Sequence, residues 1–359
     1  MSAKQPLYIG IDIGGTSVKA GLVDDDGTVR ARTRAPLDLA AGLDAGLVTV
    51  FQAVDQLFDE RLKLRDVQAV GVASPGTMDI PAGIVFHPFN LPGWENLPLR
   101  DIIGDRLQKP AVLQNDANAA AFGEYWVGAA SDAGSLLFWT LGTGVGGGIV
   151  INGQLLEGAH SHAGECGHMV LQTDGGRPSQ FGMHGSLECY AGGKALVQRC
   201  REALAAGRTS LIRALAAGDG DISPRLIAQA AECGDGLATE LVLDTARYLG
   251  VGTASLMNIL DPEIVLIGGA MTFGGAESDL GRRFLNRVRE EVQARAFPIP
   301  AARTRIEFAR LGNDAGFIGA AACARQQYPA AGAEDAASDR RFVRAPHLWR
   351  GHRKARAGA

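Results

Sequence analysis

The sequence predicts an α/β protein of two domains with a ligand cleft between them. Three observations carry this reading. At 359 residues the chain is too long for one small core and fits about two domains. Short apolar runs typical of strands alternate with longer stretches of helical period. One plan, strand, glycine turn, strand, tight turn, also opens each half, first as DIGGTSVKAGLVDDDG and again as LGTGVGGGIVING.

Leu7 to Ile13 reads as an apolar strand, Gly14-Gly15-Thr16-Ser17 as a turn and Val18 to Val23 as a second strand. Asp24-Asp25-Asp26-Gly27 turns the chain into a third strand. A helical pattern runs from Gly42 to about Leu64, followed by a buried strand from Val67 to Ala73 that ends at Ser74-Pro75-Gly76. Leu99 to Leu107 reads as helix, Ala111 to Leu113 as strand, and Ala117 to about Val127 as the helix that closes the first half. The second half begins with a strand from Ser135 to Leu141, a glycine turn, and a strand from Ile149 to Ile151. Asn152-Gly153 is a hairpin turn signal leading into Gln154-Leu155-Leu156. Helices are expected at Leu187–Ala206, Ser223–Cys233, Gly236–Leu260 and Asp314 to about Gln327, with a strand at Ile264–Ile267 before Gly268-Gly269. Residues 1–134 and 135–327 are thus the expected domains. Residues 328–359, with seven basic residues between Arg340 and Arg356 and no period, are an expected disordered tail.

Composition excludes several function classes. A formal net charge of -4 gives no global attraction to nucleic acid or anionic membrane. No apolar run is long enough to span a bilayer, and the first residues carry no signal-like core. Five scattered cysteines form no CxxC pair and no disulfide framework, which points to a reducing cytoplasm. The 48 glycines cluster, as they do where backbone works close to a ligand.

Gly142, Gly144 and Gly147 match GxGxxG after a strand, but a strand and a turn follow them where a dinucleotide fold needs a helix. No GxxxxGK[ST] occurs, so there is no P-loop. Two hairpin turns rich in Gly and Thr suit another device, in which backbone N–H groups and a hydroxyl face phosphates in an interdomain cleft. Gly14, Gly15 and Thr16 form the first turn; Gly142, Thr143 and Gly144 form the second. Asp12 can hold Mg2+ through water. Lys19 either approaches the transferred phosphoryl or is a solvated strand residue. Asp116 is either the N-cap of the following helix or a base facing the cleft.

Together DIGGTSVKAGLVD, QNDANAAAFGE and LGTGVGGGIVINGQLLEGAHSHAGECGH resemble the ROK family of sugar kinases and repressors over about residues 7–326. The resemblance implies the actin-like, hexokinase-like ATPase fold, with a βββαβα core in each domain. It implies an ATP- and Mg2+-dependent hexose kinase, glucose being the expected substrate. The related fructo-, manno- and N-acetylhexosamine kinases are alternatives, and a non-catalytic sugar-sensing regulator is a further one. ROK repressors carry a helix-turn-helix domain before the first glycine turn, where this chain has only about six residues, so the kinase branch is expected. Under the resemblance Asp116 is the base. Asn90, Asn115, Glu165, His168 and Glu188 contact the sugar, with Gly76 contributing backbone, and Gly268-Gly269 packs on adenosine. His160 and His162 are read as loop residues, and Gly312 to Ala315 as the start of the last helix. Expected partners are a hexose and ATP, with no nucleic acid and no membrane, in a homo-oligomer, a dimer being favoured.

The chain departs from the resemblance after Gly167-His168. Related kinases continue with a CxCGxxGCLE-like loop whose cysteines, with the histidine, hold structural Zn2+. Here Ser179, Phe181 and Ser186 stand at the cysteine positions, while Gly182, Gly185, Leu187 and Glu188 are kept. Serine and phenylalanine cannot replace thiolates at a tetrahedral zinc site. A loop without zinc is expected, with Phe181 buried in the place of the metal.

Overall fold

The computed structural model describes residues 5–88, 90–179, 182–219 and 221–330. Strand β1 (Leu7–Ile13) is buried along almost its whole length, as a central strand should be. Strand β2 (Ser17–Asp24) folds back on it, with Asp12 opposite Lys19. Strand β3 (Val29–Pro36) is the edge; its Val, Ala and Thr side chains are half-buried while Arg30, Arg32 and Arg34 are exposed. Helix α1 (Leu43–Asp55) ends well short of Leu64. Asp59 explains the early stop, because its carboxylate accepts the N–H groups of Arg61 at 2.7 Å and Leu62 at 2.8 Å in a local turn.

Strand β4 (Val67–Ser74) lies parallel to β1. A hairpin of β5 (Thr77–Asp79) and β6 (Ile84–His87) follows, too short to leave a period in the sequence. Helix α2 (Leu99–Leu107) and strand β7 (Ala111–Asn115) complete a sheet of order β3-β2-β1-β4-β7, and helix α3 (Asp116–Trp126) starts directly at the end of β7.

The second sheet repeats the plan. Strands β8 (Ser135–Leu141), β9 (Val145–Ile151) and β10 (Gln154–Leu155) form an antiparallel meander. Asn152 and Gly153 both have positive φ, at 52° and 76°, the geometry of a type I′ hairpin turn. Helices α4 (Glu188–Ala191) and α5 (Gly193–Ala205) replace the single helix expected over Leu187–Ala206. The break is at Gly192, in extended conformation, where a Cβ would lie 3.1 Å from the Cα of Gly144. Close approach to the glycine turn is therefore what interrupts the helix.

Helices α6 (Ile212–Asp219), α7 (Pro224–Glu232) and α8 (Gly236–Leu260) build the outer layer. Ser223 and Asp235 cap the last two, accepting Leu226 N–H at 3.2 Å and Ala238 N–H at 2.7 Å. Strand β11 (Ile264–Gly268), helices α9 (Asp279–Arg295) and α10 (Pro298–Arg303), and strand β12 (Arg305–Phe308) give the order β10-β9-β8-β11-β12. Both sheets thus carry three antiparallel strands followed by two parallel ones.

Helix α11 (Ala315–Gln327) does not stay with the unit expected over residues 135–327. It returns to the first sheet and packs on β1, β4 and α3. Glycines make this possible: a Cβ on Gly10 would lie 1.7 Å from Phe317 O, and one on Gly71 would lie 1.8 Å from Ala320 O. The chain therefore crosses between lobes twice, after α3 and before α11. No helix among the described residues is long and apolar enough to cross a membrane. Of the tail expected over residues 328–359, residues 331–359, which hold the basic stretch, lie outside those described.

Candidate active site

The structure separates the two readings of Asp116. The helix cap is Asn115: its backbone is extended, and its Oδ1 accepts N–H from Ala117 at 2.9 Å and Asn118 at 3.2 Å. Asp116 is the first helical residue, accepting Ala117 N–H at 2.9 Å, and its carboxylate faces the cleft. Burial is the main influence raising its pKa to about 6, and the nearby Asp12 and Glu165 carboxylates act in the same direction. Capping engages Asn115 Oδ1, so the Nδ2 amide is the group it can offer as a donor. Below this junction, Gln114 donates to Glu157 at 2.7 Å and accepts from Asn118 at 3.2 Å, tying the end of β7 to the loop after β10.

A cavity of about 660 Å3 opens on one side of Asp116. Gly76, Asn90, Asn115, Glu165, His168 and Glu188 all line it. Gly76, at φ 97°, has no room for a Cβ, which would meet Pro88 Cα at 2.5 Å. His168 Nε2 lies 3.7 Å from Glu165 Oε2 across one 3-10 turn. Glu188 reaches out of α4 and accepts Val145 N–H at 3.0 Å, next to the second glycine turn.

A second cavity, of about 550 Å3, lies on the other side. Asp12, Lys19, Gly268 and Gly269 line it, and Asp116 and Thr140 belong to the walls of both cavities. Lys19 Nζ is 3.2 Å from Asp12 Oδ2, so this lysine turns toward the cleft. Asp12 also meets the start of α11: a Cβ on Gly316 would lie 2.6 Å from its carboxylate, and only glycine lets the helix N-terminus come so close. Gly269, at φ 90°, packs on β8, where a Cβ would lie 2.3 Å from Leu141 O.

The second glycine turn also borders a third cavity of about 900 Å3, walled by Gly142, Thr143, Lys194, Pro224 and Met271. Backbone N–H groups of Gly193 and Lys194 bind the carbonyls of Gly142 and Thr143, at 2.9 and 3.1 Å, fastening α5 to the turn. Gly144 lines the first cavity. Gly14, Gly15 and Thr16 line none of these three cavities; a Cβ on Gly15 would lie 2.9 Å from Asn90 O, so the first turn abuts the loop carrying Asn90.

Several lining residues have no ligand role in the sequence, His162 being read as a loop residue and Gly312–Asn313 as the start of the last helix. Ser161 and His162 line the first cavity, and Gly312 and Asn313 the second. Ser161 is the one non-glycine residue among them with positive φ, at 56°, and its Oγ accepts Ile80 N–H from the opposite lobe at 3.0 Å. That contact has no short-range sequence signal.

Residues 8–327 match the ROK family. The chain belongs to the ROK family. A glucokinase of Halalkalibacterium halodurans is 33% identical over 89% of this chain and 95% of its own length. A xylose repressor of Caldicellulosiruptor bescii is 30% identical over 87% of the chain and 76% of its own. Among solved structures, a ROK family glucokinase from Streptomyces griseus in complex with glucose and AMPPNP superposes with a TM-score of 0.73 at 33% identity, covering 89% of this chain and 99% of that one. The hexokinase-like fold expected of a ROK protein is therefore the one observed.

Among the described residues no group of three or more His, Cys, Asp or Glu side chains could hold a metal ion. Ser186 Oγ lies 3.2 Å from Cys189 Sγ, and Ser179 N–H donates to Met183 O at 2.7 Å. The expectation of a buried Phe181 lies outside the described residues.

Proposed function

We propose that this ROK protein transfers the γ-phosphoryl group of ATP to a hexose, glucose being the preferred acceptor and glucose 6-phosphate the product. One observation carries the reading: Asp116 stands in the shared wall of two cavities, one lined by groups suited to hydroxyls, the other by groups suited to phosphates. The full-length similarity to glucokinases supports it.

A sugar hydroxyl is a weak nucleophile, and phosphoryl transfer asks the protein mainly for positioning and charge stabilisation. Asp116 accepts the hydroxyl proton as the oxygen bonds to the γ-phosphorus. The bond from phosphorus to the β,γ-bridging oxygen breaks, and ADP leaves. Asn90, Asn115, Glu165, His168 and Glu188 bind the sugar, with Gly76 offering backbone. Lys19 approaches the transferred group, Gly268–Gly269 adjoins adenosine, and the turn Gly142–Gly144, on the wall of the sugar-side cavity, offers backbone N–H groups toward the phosphates, while Gly14–Thr16, which lines none of the three cavities, is given no ligand contact. Asp12 fits a water-mediated Mg2+: it is an oxygen ligand at the phosphate side, and Mg2+ keeps several waters and binds through one or two carboxylates plus substrate phosphates. When bound, that ion neutralises phosphate charge.

A coupled assay over glucose, fructose, mannose and N-acetylhexosamines, with ATP and polyphosphate as donors, tests the reading. Glucose with ATP is expected to give the highest kcat/KM; a higher value for another sugar reassigns the substrate. Similarity to a xylose repressor favours a second reading, a sugar sensor without catalysis. Absence of ATP consumption with every sugar would select it.

A further inference from the structure

The described residues between Met169 and Leu187 carry little regular structure, yet the groups that flank the segment, His168 and Glu188, line the same cavity. Something must hold it. Helix α4, which starts at Glu188, has only four residues and cannot supply order of its own.

Two stretches of this segment converge on one side chain, and a third packs against them. Tyr190 is 4% exposed, and its hydroxyl uses both of its hydrogen-bonding modes. It accepts Arg177 N–H at 3.0 Å and donates to Gln172 Oε1 at 2.8 Å. Around it, Gly185 N–H donates to Arg177 O at 2.8 Å, and Gly185 O accepts Leu171 N–H at 2.8 Å. Leu187 N–H donates to Met169 O at 2.9 Å. Gly185, at φ 74°, would place a Cβ 1.9 Å from Gln172 O, so the stretches are in direct backbone contact. The ring of Tyr190 packs on Tyr248, with centroids 4.7 Å apart, and this anchors it to α8. Two residues before Tyr190, Glu188 accepts Val145 N–H. A shift of Tyr190 is thereby transmitted to the cavity wall and to the glycine turn.

We propose that Tyr190 is a positioning residue whose hydroxyl pins the 169–187 loop, so that Glu188 and His168 meet the sugar in a fixed geometry. The proposal rests on the hexose-kinase reading of the cavity.

The test compares Tyr190→Phe, Gln172→Leu and Gln172→Glu, the last keeping an oxygen acceptor for the hydroxyl. Tyr190→Phe and Gln172→Leu are expected to raise the glucose KM about tenfold, with kcat and the ATP KM within about twofold of wild type. Gln172→Glu keeps the acceptor for the hydroxyl but loses the bond to Asp174 O, so it should lie closer to wild type than Gln172→Leu. The double variant Tyr190→Phe/Gln172→Leu should fall short of the summed effects of its parents, because both remove the same Tyr190–Gln172 bond. Hydrogen exchange at the Val145 amide should be about tenfold faster in Tyr190→Phe, since Glu188 protects it. A wild-type glucose KM in Tyr190→Phe overturns the proposal even if the variant is less stable. If wild-type protein phosphorylates no hexose, the functional reading fails by itself; unchanged Val145 exchange in Tyr190→Phe would then overturn the pin as well.

Discussion

Asp116 shows how much one residue's surroundings decide. Burial and the Asp12 and Glu165 carboxylates raise its pKa to about 6, compared with an ordinary value of 3.8. A base must be deprotonated, so kcat/KM is expected to fall on acidification, with an apparent pKa near that value, and to level off above it. A pH–rate profile with no acid limb between pH 5 and pH 7 would contradict the assignment. The same shift has the opposite sign for stability. Between the unfolded and folded pKa values the native state binds more protons, so stability declines as pH rises through that window and stays reduced at neutral pH. Asp116→Asn should therefore lower kcat by about 10³-fold. At pH 8 it should raise Tm by on the order of 2 °C. Calorimetry beside steady-state kinetics checks both, and loss of activity together with a lower Tm would indicate misfolding rather than a missing base.

At the scale of elements, α3 links chemistry to architecture. Its first residue is Asp116, and near its last turn the fully buried Glu124 gathers the two crossings between lobes. One oxygen of Glu124 accepts Ala129 N–H at 2.8 Å, and the other accepts Arg310 N–H at 2.8 Å and Leu311 N–H at 2.6 Å. Those last two residues lead into Gly312 and Asn313 on the wall of the second cavity. Glu124→Ala strands three N–H groups and opens a void, a loss expected to be about 3–5 kcal/mol in urea denaturation. A change below about 1 kcal/mol would mean that water replaces the carboxylate.

For the whole molecule, two sheets of like topology enclose the cleft, and α11 closes the first lobe from the far end of the chain. The zinc question belongs at this scale, because a structural metal adds folding free energy to the entire protein. Protein purified without added metal is expected to contain less than about 0.1 Zn2+ per chain and to keep its Tm in EDTA, since structural Zn2+ sites take four Cys or His ligands. One tightly bound Zn2+ per chain by elemental analysis overturns this. Glucose should also raise Tm progressively, by about 2.7 kcal/mol of stabilisation at a hundred times its Kd.

Local chemistry was enough to mark the two glycine turns, the strand that ends at Asn115-Asp116, the capped helices α7 and α8, and, with the family resemblance, the residues that line the first cavity. Turn geometry, capping and apolar period act over a few residues, so they are written in adjacent letters. Asn115 rather than Asp116 is the cap because the helix starts at Asp116, one residue earlier than its local pattern suggests. Other decisions depended on distant partners. The helix over Leu187–Ala206 broke at Gly192 because a turn almost fifty positions earlier presses on it. Helix α11 joined the first lobe through glycines hundreds of residues away, and Tyr190 found its role only where three irregular stretches meet. Close packing and shared hydrogen bonds join positions by distance in space, and no local pattern in the chain records that distance.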